Sequence, residues 1–187
     1  LESIVMSALF FGIPMLSKGD LRNKLRHNRR PLFYFACLGI AFMIIEICLM
    51  QRLVLFLGAP VYSISAVLGS LLISAGLGSM LTTRFSTSHK AVKTVLWATT
   101  VVIIVMHMLL PHITDAFLYK TFAQRMIIAV GLVSVFGLFM GMPMPTGLRY
   151  LKAHHVDIIP WAWAINGCFT VVGSALSIIL ITNLGFS

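Results

Sequence analysis

The chain reads as an all-α, polytopic transmembrane helical bundle of about six spans. Three observations support this. Apolar stretches long enough to cross a bilayer recur along the chain. Only 10% of the 187 residues are charged against 59% hydrophobic, with a mean hydropathy of +0.97. A soluble domain of this size carries about a quarter charged residues. The basic residues gather in alternate connections between the apolar stretches, which is how cytoplasmic loops are marked. In lipid the backbone must satisfy its own hydrogen bonds, so each stretch is read as a helix.

Windows of about 20 residues, enough for a hydrocarbon core roughly 30 Å thick, place the spans in order. They are Leu1–Leu16, Leu32–Leu57, Val61–Leu81, Ala91–Leu110, Met126–Met142 and Trp161–Leu184, forming a single transmembrane domain over residues 1–187. Leu1–Leu16 has neither a basic leader nor a small-residue cleavage site. It reads as the remainder of a first span in part of a longer protein.

Orientation follows from the cations. Lys18, Arg22, Lys24, Arg26, Arg29 and Arg30 follow the first span. Arg84, Lys90 and Lys93 lie between the third and fourth, and Arg149 and Lys152 between the fifth and sixth. The opposite loops offer Lys120 and Arg125. This bias puts the basic loops in the cytoplasm and both ends of the chain outside. The same distribution argues against a nucleic-acid partner despite the net charge of +9. The cluster at 18–30 reads either as a topology determinant or as a surface for anionic lipid headgroups.

Lipid does not drive helices together by hydrophobicity, so small residues that admit close backbone approach mark packing faces. The third span has such a ridge in Ala66, Ser70, Ser74 and Gly78, widened by Gly69, Gly76 and Ser79. The fifth holds the pair Gly137 and Gly141. The sixth carries Thr170, Ser174 and Ser177 on one face, with Gly167 and Gly173 nearby. These seams imply neighbours, in this chain or in other membrane subunits.

Glu46 is the one acid inside a span core. It lies about 21 Å along the helix from Leu32 at about 1.5 Å per residue. Arg52 is poorly placed as its partner, because six residues turn the helix so that the two side chains diverge by about 120°. Arg52 and Gln51 are expected to reach the headgroups. Gly39, Met43, Glu46 and Met50 share a face, so Glu46 is expected to look into the bundle. Two readings stand together. Glu46 is either a proton- or cation-binding carboxylate, or a structural acid bonded to Asn166 or to a serine of the third span.

The string GMPMPTGLR, with Pro143, Pro145, Gly147 and Arg149, is expected to form a cytoplasmic turn, because successive prolines break a helix. It serves either as a rigid exit or as a binding loop. Pro160 and the following tryptophans fit a helix start anchored at the interface, and Asn166 a hydrogen-bonding site one to two turns inside. Cys37, Cys48 and Cys168 fall in apolar spans without paired spacing and read as small hydrophobes. His107, His112, His154 and His155 lie at helix ends, and no HxxxH, HExxH, Walker loop or nucleophile motif is present. No cofactor or metal is called for, and no catalytic residue is assigned.

Three strings taken together, FACLGIAFMIIEICLMQRLVLFLGAPVYS, GLGSMLTTR and GMPMPTGLR followed by IPWAWAINGCFTVVGS, resemble the membrane half of bacterial spermidine synthase-like proteins. The resemblance covers roughly residues 32 to 187 and rests on order and spacing. It carries over Glu46, Gln51, Arg52, Gly141, Pro143, Pro145, Gly147, Arg149, Pro160, Trp161, Trp163, Asn166 and Gly167. In that family aminopropyl transfer belongs to a soluble Rossmann-type domain, and this chain has no counterpart of it. A histidine common in the family is replaced here by Ala59. The resemblance therefore implies a non-catalytic membrane module, an anchor or accessory subunit beside other subunits or an attached soluble domain. A transporter of a small cation or polyamine using Glu46 is the alternative, and the membrane half of an aminopropyltransferase a further one.

Overall fold

The structure, a computed structural model, describes residues 29–154 and 156–184. Those residues form α-helices joined by tight connections, with no strand among them. The helices are α1 (Arg29–Leu57), α2 (Pro60–Leu81), α3 (His89–Ala116), α4 (Phe122–Met140), α5 (Pro143–His154) and α6 (Ile159–Leu184). Among the described residues five helical stretches are long and apolar enough to cross a membrane, against the six expected. The expected first span, Leu1–Leu16, and the basic cluster from Lys18 to Arg26 lie outside the described residues. Arg29 and Arg30 open α1.

Local chemistry sets the helix ends. At the end of α1, Gly58 takes φ +80° and its amide donates to the Val54 carbonyl at 2.9 Å. This is the left-handed cap that glycine adopts without steric cost. Ala59 is extended, and Pro60 enters α2 in its first turn, where no donor is needed. α3 is capped by the Ser88 hydroxyl, which accepts from the Ala91 amide at 3.2 Å. It runs six residues past the expected end, through Pro111. The apolar window stops at Leu110, but the hydrogen-bond ladder does not, and the Thr114 hydroxyl donates to the Leu110 carbonyl at 3.0 Å. α4 starts four residues before Met126, with Gln124 Oε1 accepting from the Thr121 amide at 3.3 Å.

The expected cytoplasmic turn at Pro143, Pro145, Gly147 and Arg149 is displaced. The break falls at Gly141 and Met142, and all four residues are helical, in α5. The two prolines occupy the first turn, whose amides have no intrahelical acceptor anyway. The first α5 ladder bond runs from the Thr146 amide to the Met142 carbonyl at 3.2 Å. Paired prolines end one helix and start the next.

The described residues group into two compact units, one from 29–47 with 151–184 and one of residues 48–150. In the second unit α1 to α4 alternate in direction. The Ser63 hydroxyl near the start of α2 donates to the Met50 carbonyl of α1 at 2.9 Å. Early in α3, Thr99 donates to the Phe139 carbonyl at the end of α4, at 3.1 Å. α2 and α4 run the same way: Tyr62 and Phe122 meet edge-on near their starts at 5.0 Å, and Ala75 lies against Gly141 near their ends. In the first unit α1 and α6 are also parallel, with Gly39 beside Asn166 and Thr170 and, further along, Ile40 and Met43 beside Gly173. Leu32 and Ile158 close one end of that seam with Trp161 and Ile165.

Most of each span is uncovered, with only 11–39% of the most apolar window buried. Leu72, Ile73, Trp97, Met108 and Ile127 all stand exposed. An apolar exterior of this extent is what hydrocarbon surroundings require and water does not tolerate. The protein has the architecture of a helical membrane protein.

Candidate functional site

The small-residue ridge of α2 is buried at Ala66, Ser70, Ser74 and Gly78 and forms the seam with α4. A methyl group added at Gly78 would strike the Leu138 carbonyl. One at Gly137 would strike the Ser74 hydroxyl and lie 2.8 Å from the Leu71 carbonyl oxygen. One at Gly141 would lie 2.5 Å from Ala75 Cα. The helices touch backbone to backbone, which dispersion and packing favour in lipid. Gly69 and Gly76, expected to widen the ridge, are instead exposed with open space beside them. Gly69 is one residue from Ser70, and Gly76 two from Ser74 and Gly78, so both turn away from the buried stripe. Gly167 is likewise open, whereas Gly173 is in close contact with Ile40, its added methyl group 2.8 Å from Cα.

The buried polar side chains divide sharply. Ser63, Ser70, Ser74, Thr82, Thr99, Thr114, Thr146 and Ser177 are buried hydroxyls, and each donates to a backbone carbonyl. Six of these bonds return to the same helix or the turn it leads into. Those of Ser63 and Thr99 cross between helices. Such back-bonding keeps a hydroxyl satisfied where no water reaches it. Thr99→Val should lower stability by about 1 kcal/mol, the usual size of an interhelical bond in a membrane. Thermal unfolding in detergent checks this, and an unchanged midpoint would mean the Phe139 carbonyl is satisfied otherwise.

Glu46 is the exception. It is 8% exposed, and it makes no hydrogen bond or ion pair among the described residues. Its burial agrees with the expected inward face. Its expected partners are not its partners. The Asn166 carbonyl lies beside Gly39, seven residues or about 10 Å along α1 from Glu46. On α6 the parallel register steps from Gly173 to Ser177 as α1 steps from Met43 to Glu46. Ser177 is fully buried, and its hydroxyl proton is directed to the Gly173 carbonyl at 2.7 Å. α6 carries no charged residue from Ile159 to Leu184.

Two arginines hold helix ends, a role that charge counting over loops did not indicate. Arg125 Nη1 donates to the Phe56 carbonyl in the last turn of α1 at 2.8 Å. Arg149 Nη1 donates to the Thr82 carbonyl at the end of α2. Each cation sits at a helix C-terminus, where the carbonyls lack intrahelical donors and the dipole is negative. The three cysteines are free thiols. Among the described residues no group of three His, Cys, Asp or Glu side chains is placed to hold a metal ion. Compared with protein-family models, curated proteins and solved structures, the chain matches none.

Proposed function

We propose that the chain is a non-catalytic module of a bacterial inner membrane, an anchor or accessory subunit of a larger complex, with its basic loops in the cytoplasm. The observation that carries this reading is the use of its buried hydroxyls. Among the described residues all eight buried hydroxyls are bonded to backbone carbonyls, six within their own helix or its turn and two, Ser63 and Thr99, across to another helix, which supports a packing role for them. The resemblance to spermidine synthase-like proteins supports placing such a module beside a soluble domain or another subunit. Purification from native membranes in mild detergent tests it. A co-purifying subunit or attached domain is expected, and migration as a lone monomer would count against it.

A second reading rests on Glu46, the one buried polar side chain among the described residues without a bond. Intramembrane acids facing protein commonly bind protons or cations, so Glu46 would be the ligand of a small cation or polyamine in transit. Uptake into proteoliposomes decides it. Glu46→Gln should reduce uptake at least tenfold on this reading, and equal uptake by the two proteins, or none by either, removes Glu46 from any transport mechanism.

A further inference from the structure

One end of the second unit carries four cations and no acid among its described residues. Arg84 closes the turn after α2, Lys90 and Lys93 lie in the first two turns of α3, and Arg149 lies in α5. The structure makes one surface of these separate segments. Arg149 reaches the Thr82 carbonyl, and the rings of His89 and Tyr150 stand 6.0 Å apart. The one acid in residues 48–150 is Asp115, at the far end of α3, roughly 33 Å from Lys93 along the helix. Arg84, Lys90 and Lys93 are all exposed.

Two features give the surface a direction. Met80, Leu81 and Phe85, exposed by 69%, 40% and 39%, form an apolar rim directly beside Arg84. Greasy side chains on one side and cations on the other match the step from acyl chains to headgroup phosphates. A soluble acidic protein would have no use for the rim. Lys90 also lies in the first turn of α3, where amides and dipole are already positive, so it opposes its own helix. An anion placed there reverses that sign and meets the helix N-terminus as well.

We propose that this end of the protein binds headgroup phosphates of anionic phospholipid through Arg84, Lys90 and Lys93. The proposal rests on the reading that the helices cross a membrane. It concerns residues far in sequence from the cluster at 18–30.

The test compares wild type with the triple variant Arg84→Gln, Lys90→Gln, Lys93→Gln, both in nanodiscs of mixed phosphatidylglycerol and phosphatidylcholine. Native mass spectrometry reads the lipids each protein retains. Wild type should retain phosphatidylglycerol preferentially. The triple variant should lose about fivefold of that preference per cation removed, roughly a hundredfold in all. The charge-keeping variant Arg84→Lys, Lys90→Arg, Lys93→Arg should retain it, which separates charge from folding. An unchanged preference in the triple variant overturns the proposal. So does abolition of the wild-type preference by low concentrations of inorganic phosphate, which would assign the surface to a soluble anion. Failure of wild type to enter nanodiscs would overturn the membrane reading and the proposal together, whereas insertion with an unaltered preference overturns the proposal alone.

Discussion

Gly141→Ala is expected to destabilise the protein by about 3 kcal/mol, at the upper end of what overpacking a tight core costs. In an ordinary helix the same change is favourable by up to about 1 kcal/mol, so the expected sign is reversed. The reason is geometric. Gly141 has φ −74°, which alanine adopts freely, so no backbone strain enters. The added methyl group would lie 2.5 Å from Ala75 Cα. That atom belongs to helical backbone and yields only if α2 and α4 separate along their length. Separation would also disturb the Thr99 bond to Phe139, two residues before Gly141. Gly76→Ala is the matched control. Its added methyl group meets nothing within 4 Å, and the change should be neutral or stabilising. Thermal unfolding of both variants in one detergent checks the pair. Equal midpoints would mean that the α2–α4 seam is absent.

Arg125→Met should cost about 2 kcal/mol, within the range for removing a charged partner from a hydrogen-bonded carbonyl. Methionine keeps much of the apolar stem and removes the donor, leaving the Phe56 carbonyl at the end of α1 without its guanidinium. Phe56 itself is 2% exposed, so little solvent is at hand to replace the bond. Arg125 also has its Nε enclosed without an acceptor, a desolvation cost that keeps the net loss below 3 kcal/mol. Arg125→Lys should recover part of the stability, since an ammonium supplies charge and a donor without the rigid fork. Unfolding midpoints in detergent, read with a proteolysis assay at the Gly58 connection, check both. A neutral Arg125→Met would show that the α1 end is capped by other means.

Much of the fold was legible because lipid imposes a simple rule. A helix that crosses hydrocarbon must be apolar for about 20 residues, and such runs stand out without any knowledge of contacts. Sequence and structure part where that rule is silent. α3 continues beyond Leu110 because hydrogen bonds do not require apolar side chains. Pro143 and Pro145 by themselves suggest a turn over both, yet proline is at home in a first helical turn. The stripe of Ala66, Ser70, Ser74 and Gly78 was legible from its four-residue period. Gly69 and Gly76 lie off that stripe, because glycine content without phase does not specify a face.

The candidate site was legible only in its membership. That Glu46 is the one acid within a span core is a fact of the primary structure, and its burial follows from the cost of exposing a carboxyl group to acyl chains. Its neighbours do not follow. Asn166 and Glu46 are both polar and both intramembrane, yet the close approach of Gly39 to the Asn166 backbone sets a register that places them about two helical turns apart. Arg125 looked like one of two loop charges and proved to be a helix cap, because a carbonyl 69 residues away in sequence comes within 2.8 Å.

Composition and periodicity alone determined that this chain is helical, that its exterior is apolar, and which face of α2 would pack. All three depend on local properties: side-chain transfer to hydrocarbon and the helical repeat. Only the tertiary structure decided which helices meet, in what direction and at what level. Those outcomes depend on helix backbones approaching too closely to admit a Cβ at Gly39, Gly78, Gly137, Gly141 and Gly173, and no single stretch of sequence contains both sides of such a contact.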